Sequence, residues 1–247
     1  MNRPIVEVCS NSLRSSLEAQ YGGADRVELC ASIPEGGTTP SYGEIVCNRK
    51  SLQIKLNVII RLRGGDFLYS ADELTVMEED IRMCERLGVD GVVFGVLTPD
   101  GEIDIAANSR LIEAAGSMNK TFHRAFDMCR DSERALEEII SLGFDTVLTS
   151  GGAASAELGT AQIAQLVRQA AGRIMVMPGC GITATNISEI QHITGAGAYH
   201  FSARSSVESG MKQRNPNVSM GGVVKIEEYS YNYTDRMKVS EIIKKLR

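Results

Sequence analysis

The pattern Glu-x-Cys occurs twice, as Glu7-Val8-Cys9 and Glu28-Leu29-Cys30, each time inside a short apolar run. Residues two apart on an extended strand share a face, so each carboxylate points the same way as its thiol. Asn57 and Arg61 share a face of a third run, joined by Arg63 if the strand extends that far, and His123 and His200 lie in two later runs. Carboxylates with imidazoles can move protons, arginines clamp anions, and thiolates select soft metal ions. An enzyme built from this set would use Glu7 or Glu28 as general base and His123 as acid, with Asp127 just beyond, and Arg61 or Arg63 to hold a small anionic or phosphorylated metabolite.

The elements that must position these residues are legible as an alternation. Strand-like runs fall at 5–9, 25–30, 54–61, 89–95, 119–124, 144–149, 173–178 and 198–202, with amphipathic segments between them. Ser70 with Glu73 has capping-box spacing, and Asp131 precedes Ala135, Leu136, Ile139 and Ile140 at helical intervals. A Gly-x-Asp step recurs at Gly23-Ala24-Asp25, Gly88-Val89-Asp90 and Gly143-Phe144-Asp145, where glycine ends a helix just before the next strand. Eight such units call for parallel strands joined by crossover helices, and no GxGxxG follows the first strand. The expectation is one (β/α)8 TIM barrel, a single domain over 1–247. Residues 203–234 are polar and rich in Ser, Gly and Asn, including Gly221-Gly222, so a long loop is expected after strand eight, with the final helix at about 235–246.

A barrel strand is covered outside by helices and inside by packed side chains, so charge along it is costly unless paired or set at the C-terminal mouth. Val6, Val8, Val27, Leu29, Val58 and Ile60 suit the helix-facing side, which turns the polar set toward the axis. An ion network of Glu7 and Glu28 against Arg61 would also account for part of that set, and it predicts one of these carboxylates within hydrogen-bonding reach of Arg61. The loops add Arg63, Ser150, Gly181 and His200 as a ligand-binding set, because glycines in Thr149-Ser150-Gly151-Gly152 and Gly179-Cys180-Gly181 let backbone N–H groups approach an anion.

The two Glu-x-Cys thiols stand on neighbouring strands about 4.8 Å apart, which admits three readings: a Cu(I) site, a disulfide, or two ordinary buried cysteines. The remaining thiols, at 47, 84, 129 and 180, fall on helices or other loops and are expected to matter little. No CxxC or zinc-finger spacing occurs among the six. A net charge of −5, with basic residues scattered, argues against a nucleic-acid partner. No run approaches membrane-spanning length and the N-terminus carries no signal-like apolar region, so the reading is cytoplasmic.

Several long motifs resemble the CutC family of copper homeostasis proteins. They are Gly22-Gly23-Ala24-Asp25-Arg26-Val27-Glu28-Leu29-Cys30, Glu35-Gly36-Gly37-Thr38-Thr39-Pro40-Ser41, Arg61-Leu62-Arg63-Gly64-Gly65-Asp66-Phe67, Thr121-Phe122-His123-Arg124-Ala125-Phe126-Asp127 and Leu148-Thr149-Ser150-Gly151, with Met220-Gly221-Gly222 toward the end. The resemblance implies a (β/α)8 barrel, a cytoplasmic homo-oligomer (dimer or tetramer), and a role in copper binding or tolerance with Cys9 and Cys30 as suggested Cu(I) ligands.

Overall fold

The computed structural model describes residues 3–221 and 226–246; Gly222 and the ends of the 1–247 span lie outside the described residues. Eight parallel strands alternate with helices: β1 Ile5–Ser10, β2 Arg26–Leu29, β3 Lys55–Ile59, β4 Gly91–Phe94, β5 Asn119–Phe122, β6 Thr146–Thr149, β7 Met175–Pro178 and β8 Ala198–Phe201. Their spatial order runs β7-β6-β5-β4-β3-β2-β1-β8, and a parallel bridge between Gly179 and His200 brings the two ends together. This is the nearly closed barrel the alternation predicts. The helices are α1 Leu13–Tyr21, α2 Tyr42–Ser51, α3 Ala71–Arg86, α4 Ile105–Ala115, α5 Ser132–Leu142, α6 Thr160–Ala170, α7 Ile187–Thr194 and α8 Arg236–Lys245.

Local chemistry explains the punctuation. The Ser70 hydroxyl accepts from the Glu73 N–H while the Glu73 carboxylate accepts from the Ser70 N–H, a complete capping box on α3. Asp131 caps α5 in the same way by accepting from the N–H groups of Glu133 and Arg134. Gly88 and Gly143 take φ of +69° and +87°, the left-handed turn that side chains disfavour. The aspartate of each Gly-x-Asp step has a further use. Asp25, Asp90 and Asp145 accept from the backbone N–H of Val6, Leu56 and Lys120, at 2.8, 2.9 and 2.8 Å. Each therefore ties the entry of an even-numbered strand to its odd-numbered predecessor at the bottom of the barrel.

Most apolar burial lies between sheet and helices, where Val6, Val8, Val27, Leu29, Val58 and Ile60 join one large core as expected. Only small apolar clusters occupy the axis: Cys30 with Ile59 and Val93, and Leu148 with Met177 and Ala198. The axis is otherwise polar.

Residues 203–234 depart from the expected loop. Their ends pair as an antiparallel ribbon, β9 Arg204–Glu208 with β10 Ser230–Thr234. The Thr234 N–H donates to Ser15 Oγ of α1 at 3.2 Å, and Arg236 of α8 pairs with Glu18 of α1 at 2.6 Å. Alternation in Arg204–Glu208 and Ser230–Thr234 is too polar to announce a strand, because a two-stranded ribbon half in water has no apolar face to bury.

Candidate functional site

The polar axis is built in two tiers. In the lower one, strand register sets Glu7 beside Arg26 on one side and His200 on the other. Glu7 is fully buried, with Arg26 Nε 2.6 Å from its Oε2, Asn57 Nδ2 donating to Oε2 at 2.8 Å, and His200 Nδ1 2.8 Å from Oε1. The Arg26 approach falls outside hydrogen-bonding angles, so that contact is chiefly ionic. Gly91 makes room for Asn57: a Cβ there would lie 2.4 Å from Asn57 Oδ1. Burial alone would raise the Glu7 carboxyl, but Arg26, His200 and Asn57 outweigh it and hold it at about 2.

The expected partner of Glu7, Arg61, stands elsewhere. Its guanidinium donates to the carbonyls of Glu35, Gly37 and Gly65 at 2.8, 2.9 and 2.9 Å, knitting the loops after β2 and β3. Arg26 takes the counter-charge role because it is in direct register with Glu7. Its placement was legible, since Arg26 shares the axis-facing parity of Glu28.

The upper tier holds the thiols. Cys9 Sγ and Cys30 Sγ are 3.8 Å apart, both reduced, and Cys30 Sγ lies 3.4 Å from Glu28 Oε2. His200 Nε2 faces Glu28 Oε2 at 3.5 Å, and Arg204 Nη2 approaches Cys9 Sγ at 3.6 Å. The hydrogen bond from Cys30, reinforced by His200 and Arg204 against the penalty of burial, pulls the Cys9 thiol well below its usual range; Cys30, as donor, is pushed up. Burial lifts Glu28 to about 8, against His200 and with help from Cys9 and Glu7. His200 itself is raised: burial works against it, but its interactions with Glu28, Cys9 and Glu7 outweigh that penalty. Arg204 was missed in the sequence because it follows β8 in what read as featureless loop.

Above these groups opens a cavity of about 960 Å³. Cys9, Glu28, Cys30, Arg61, His123, Asp127, Gly181 and His200 all line it; Glu7, Arg63 and Ser150 do not. Arg63 is spent on its own loop, donating to Glu73 at 2.6 Å and Asp66 at 3.1 Å. Ser150 is buried, accepting from Arg124 and held by Asp127 and the Ala153 carbonyl. Asp127 lines the mouth with its acceptors taken: Thr149 Oγ1, the N–H groups of Ser150 and Gly152, and Arg124 all donate to it. It shapes the β6 loop and is badly placed for acid–base work. His123 sits one residue past β5 and caps a short 3-10 turn over Arg124–Met128, its Nδ1 accepting from the Ala125 N–H at 3.3 Å. Cys180, set aside in the sequence reading, lines the far wall, 3.3 Å from the Ala154 carbonyl. Cys9, Glu28 and Cys30 are the group of potential metal-binding side chains that converges among the described residues.

Comparisons agree with this geometry. The model of the CutC family matches residues 4–205. A family protein CutC of Bacteroides thetaiotaomicron is 54% identical over 248 residues, covering the whole of both chains. The human copper homeostasis protein cutC homolog is 50% identical over 235 residues, 95% of this chain and 86% of the human one. The crystal structure of a CutC protein from Streptococcus agalactiae superposes with a TM-score of 0.78 at 35% identity, over 81% of this chain and 98% of that one. Thiamine phosphate pyrophosphorylase from Pyrococcus furiosus, at 17% identity and a TM-score of 0.59, shares the barrel alone. The family match over most of the chain, together with these identities, makes the chain a member of the CutC family.

Proposed function

We propose that this protein binds Cu(I) as cargo through Cys9 and Cys30, as part of copper homeostasis in the reducing cytoplasm, and that it works as a homo-oligomer. The observation that carries the copper reading is the 3.8 Å separation of two reduced sulfurs on adjacent strands. One ion with thiolate bonds of about 2.3 Å spans such a gap without moving the backbone. Softness favours Cu(I) over harder ions, and two thiols fall short of the four ligands a structural zinc site needs. The hydrogen bond from Cys30, with His200 and Arg204, favours the thiolate form of Cys9, the form that binds a metal, whereas Cys30 holds its proton more tightly and must release it on binding. Glu28, within the same group, is the third neighbour that would face the ion.

The test is a titration of reduced protein with Cu(I) against a competing chelator. Wild type should take up about one equivalent, with proton release and weaker binding at lower pH. Cys9→Ser and Cys30→Ser should each abolish competition, while changing Cys47, Cys84, Cys129 and Cys180 together should leave it intact. Stoichiometry that survives loss of both Cys9 and Cys30 refutes the assignment.

A further inference from the structure

The cavity is much larger than an ion requires. At about 960 Å³ it falls near the top of the roughly 300–1,000 Å³ range of small-molecule sites. Its polar groups divide into two walls. β1, β2 and β8 present the thiols, Glu28 and His200; the segments leaving β3 and β5 present Arg61, Phe67 and His123. The copper reading leaves the second wall unused.

Two features of that wall are unexplained by folding. Arg61 is only 5% exposed, yet among the described residues its guanidinium is met by three carbonyl oxygens and by no carboxylate. Those carbonyls take hydrogens of Nη1 and Nη2 only, the buried Nε has no partner among the described residues, and the charge is left uncompensated, which a buried cation tolerates poorly. His123, 3% exposed, has a buried Nε2 with no partner. Its Nδ1 is an acceptor, and burial together with the Arg61 charge pushes the ring down to about 3, so the neutral imidazole carries its hydrogen on Nε2. Phe67 joins the pair, its ring centroid 4.8 Å from that of His123 and 5.0 Å from the Arg61 guanidinium carbon.

We propose that this wall binds the carboxylate of a small organic acid, with the Arg61 charge and the His123 Nε2–H recognising the anion and Ile33, Ile59 and Leu148 receiving an apolar body. One uncompensated cation and one neutral donor match a monoanion. A phosphate dianion would call on a second cation at this wall. Arg124 is already committed to Asp127 at 2.8 Å, and the cavity's other cations, Arg204 and Lys238, turn to Cys9 Sγ at 3.6 Å and the Arg204 carbonyl at 2.8 Å on the opposite side. The inference needs neither Cys9 nor Cys30, so it stands or falls apart from the copper reading.

Benzoate, benzamide and phenyl phosphate, which share an aromatic body and differ in head group, provide the probes. Ligand-observed NMR and calorimetry on the full reduced chain should show benzoate binding at least about tenfold tighter than benzamide and tighter than phenyl phosphate, because a charged acceptor strengthens each hydrogen bond it receives. His123→Phe should weaken benzoate about tenfold, and His123→Gln, which keeps a donor, should restore most of that loss. Cys9→Ser with Cys30→Ser should leave benzoate affinity unchanged while abolishing Cu(I) binding. Absence of benzoate binding, equal affinity for benzamide, or a His123→Phe variant that binds as wild type overturns the proposal. Tighter phenyl phosphate binding overturns its assignment to a monocarboxylate.

Discussion

Replacing Arg26 with Met removes the charge that lets Glu7 be ionised inside the barrel. Glu7 is fully buried, and its other partners are the Asn57 amide and His200. Leaving one member of a buried pair without the other costs about 3–5 kcal/mol. His200 still faces Glu7 at 2.8 Å, which puts the loss at the lower end, about 3 kcal/mol. For a chain of this length that corresponds to a fall in Tm of about 6–12 °C. Urea unfolding at neutral pH measures it directly, with Glu7→Gln and the double variant completing a cycle. The double variant should recover about 1–2 kcal/mol of the Arg26→Met loss, because no unpaired carboxylate remains. The pH dependence gives an independent reading. Glu7 is held at about 2 against an ordinary 4.5, so its contribution is complete above 4.5 and is lost as pH falls toward 2. Wild type should lose up to about 3 kcal/mol across that window through this group, and Arg26→Met much less, because its Glu7 titrates nearer the ordinary value. A loss below about 1 kcal/mol for Arg26→Met, with unchanged acid sensitivity, would show that the buried pair is not what keeps Glu7 charged.

Other outcomes follow from single contacts. Gly159→Ala would set a Cβ 1.9 Å from the Ser150 carbonyl oxygen, so thermal unfolding should show destabilisation of about 3 kcal/mol or more and disturbance of the β6 loop. Asp145→Ala removes the acceptor of the Lys120 N–H and should cost about 1 kcal/mol in urea, with faster amide exchange at Lys120. His123 is held near 3 against an ordinary 6.5, so stability from its neutral burial is full above pH 6.5 and declines as pH falls toward 3. That decline reaches up to about 3 kcal/mol near about pH 4, and His123→Phe should flatten it between those values; an unchanged profile would mean that the ring titrates normally.

The alternation of eight short apolar runs with amphipathic segments determined the parallel barrel, because both strand periodicity and helix capping are written in neighbouring residues. Ser70 with Glu73, Asp131, and the glycines of the Gly-x-Asp steps act within one or two turns of themselves, so their roles could be read directly. Strand parity likewise placed Glu7, Cys9, Glu28 and Cys30 on the axis. What parity could not supply was pairing across strands. Register and stagger set Arg26, and not Arg61, against Glu7, and folded the loops after β2 and β3 around Arg61 instead. The same dependence on three-dimensional return took Arg63 and Ser150 out of the cavity wall and brought Arg204 to Cys9 across 195 residues of chain. Residue type and periodicity thus determined which face each side chain takes. Only closure of the barrel decided which charges meet, because the energy of a buried charge depends on neighbours that local sequence does not name.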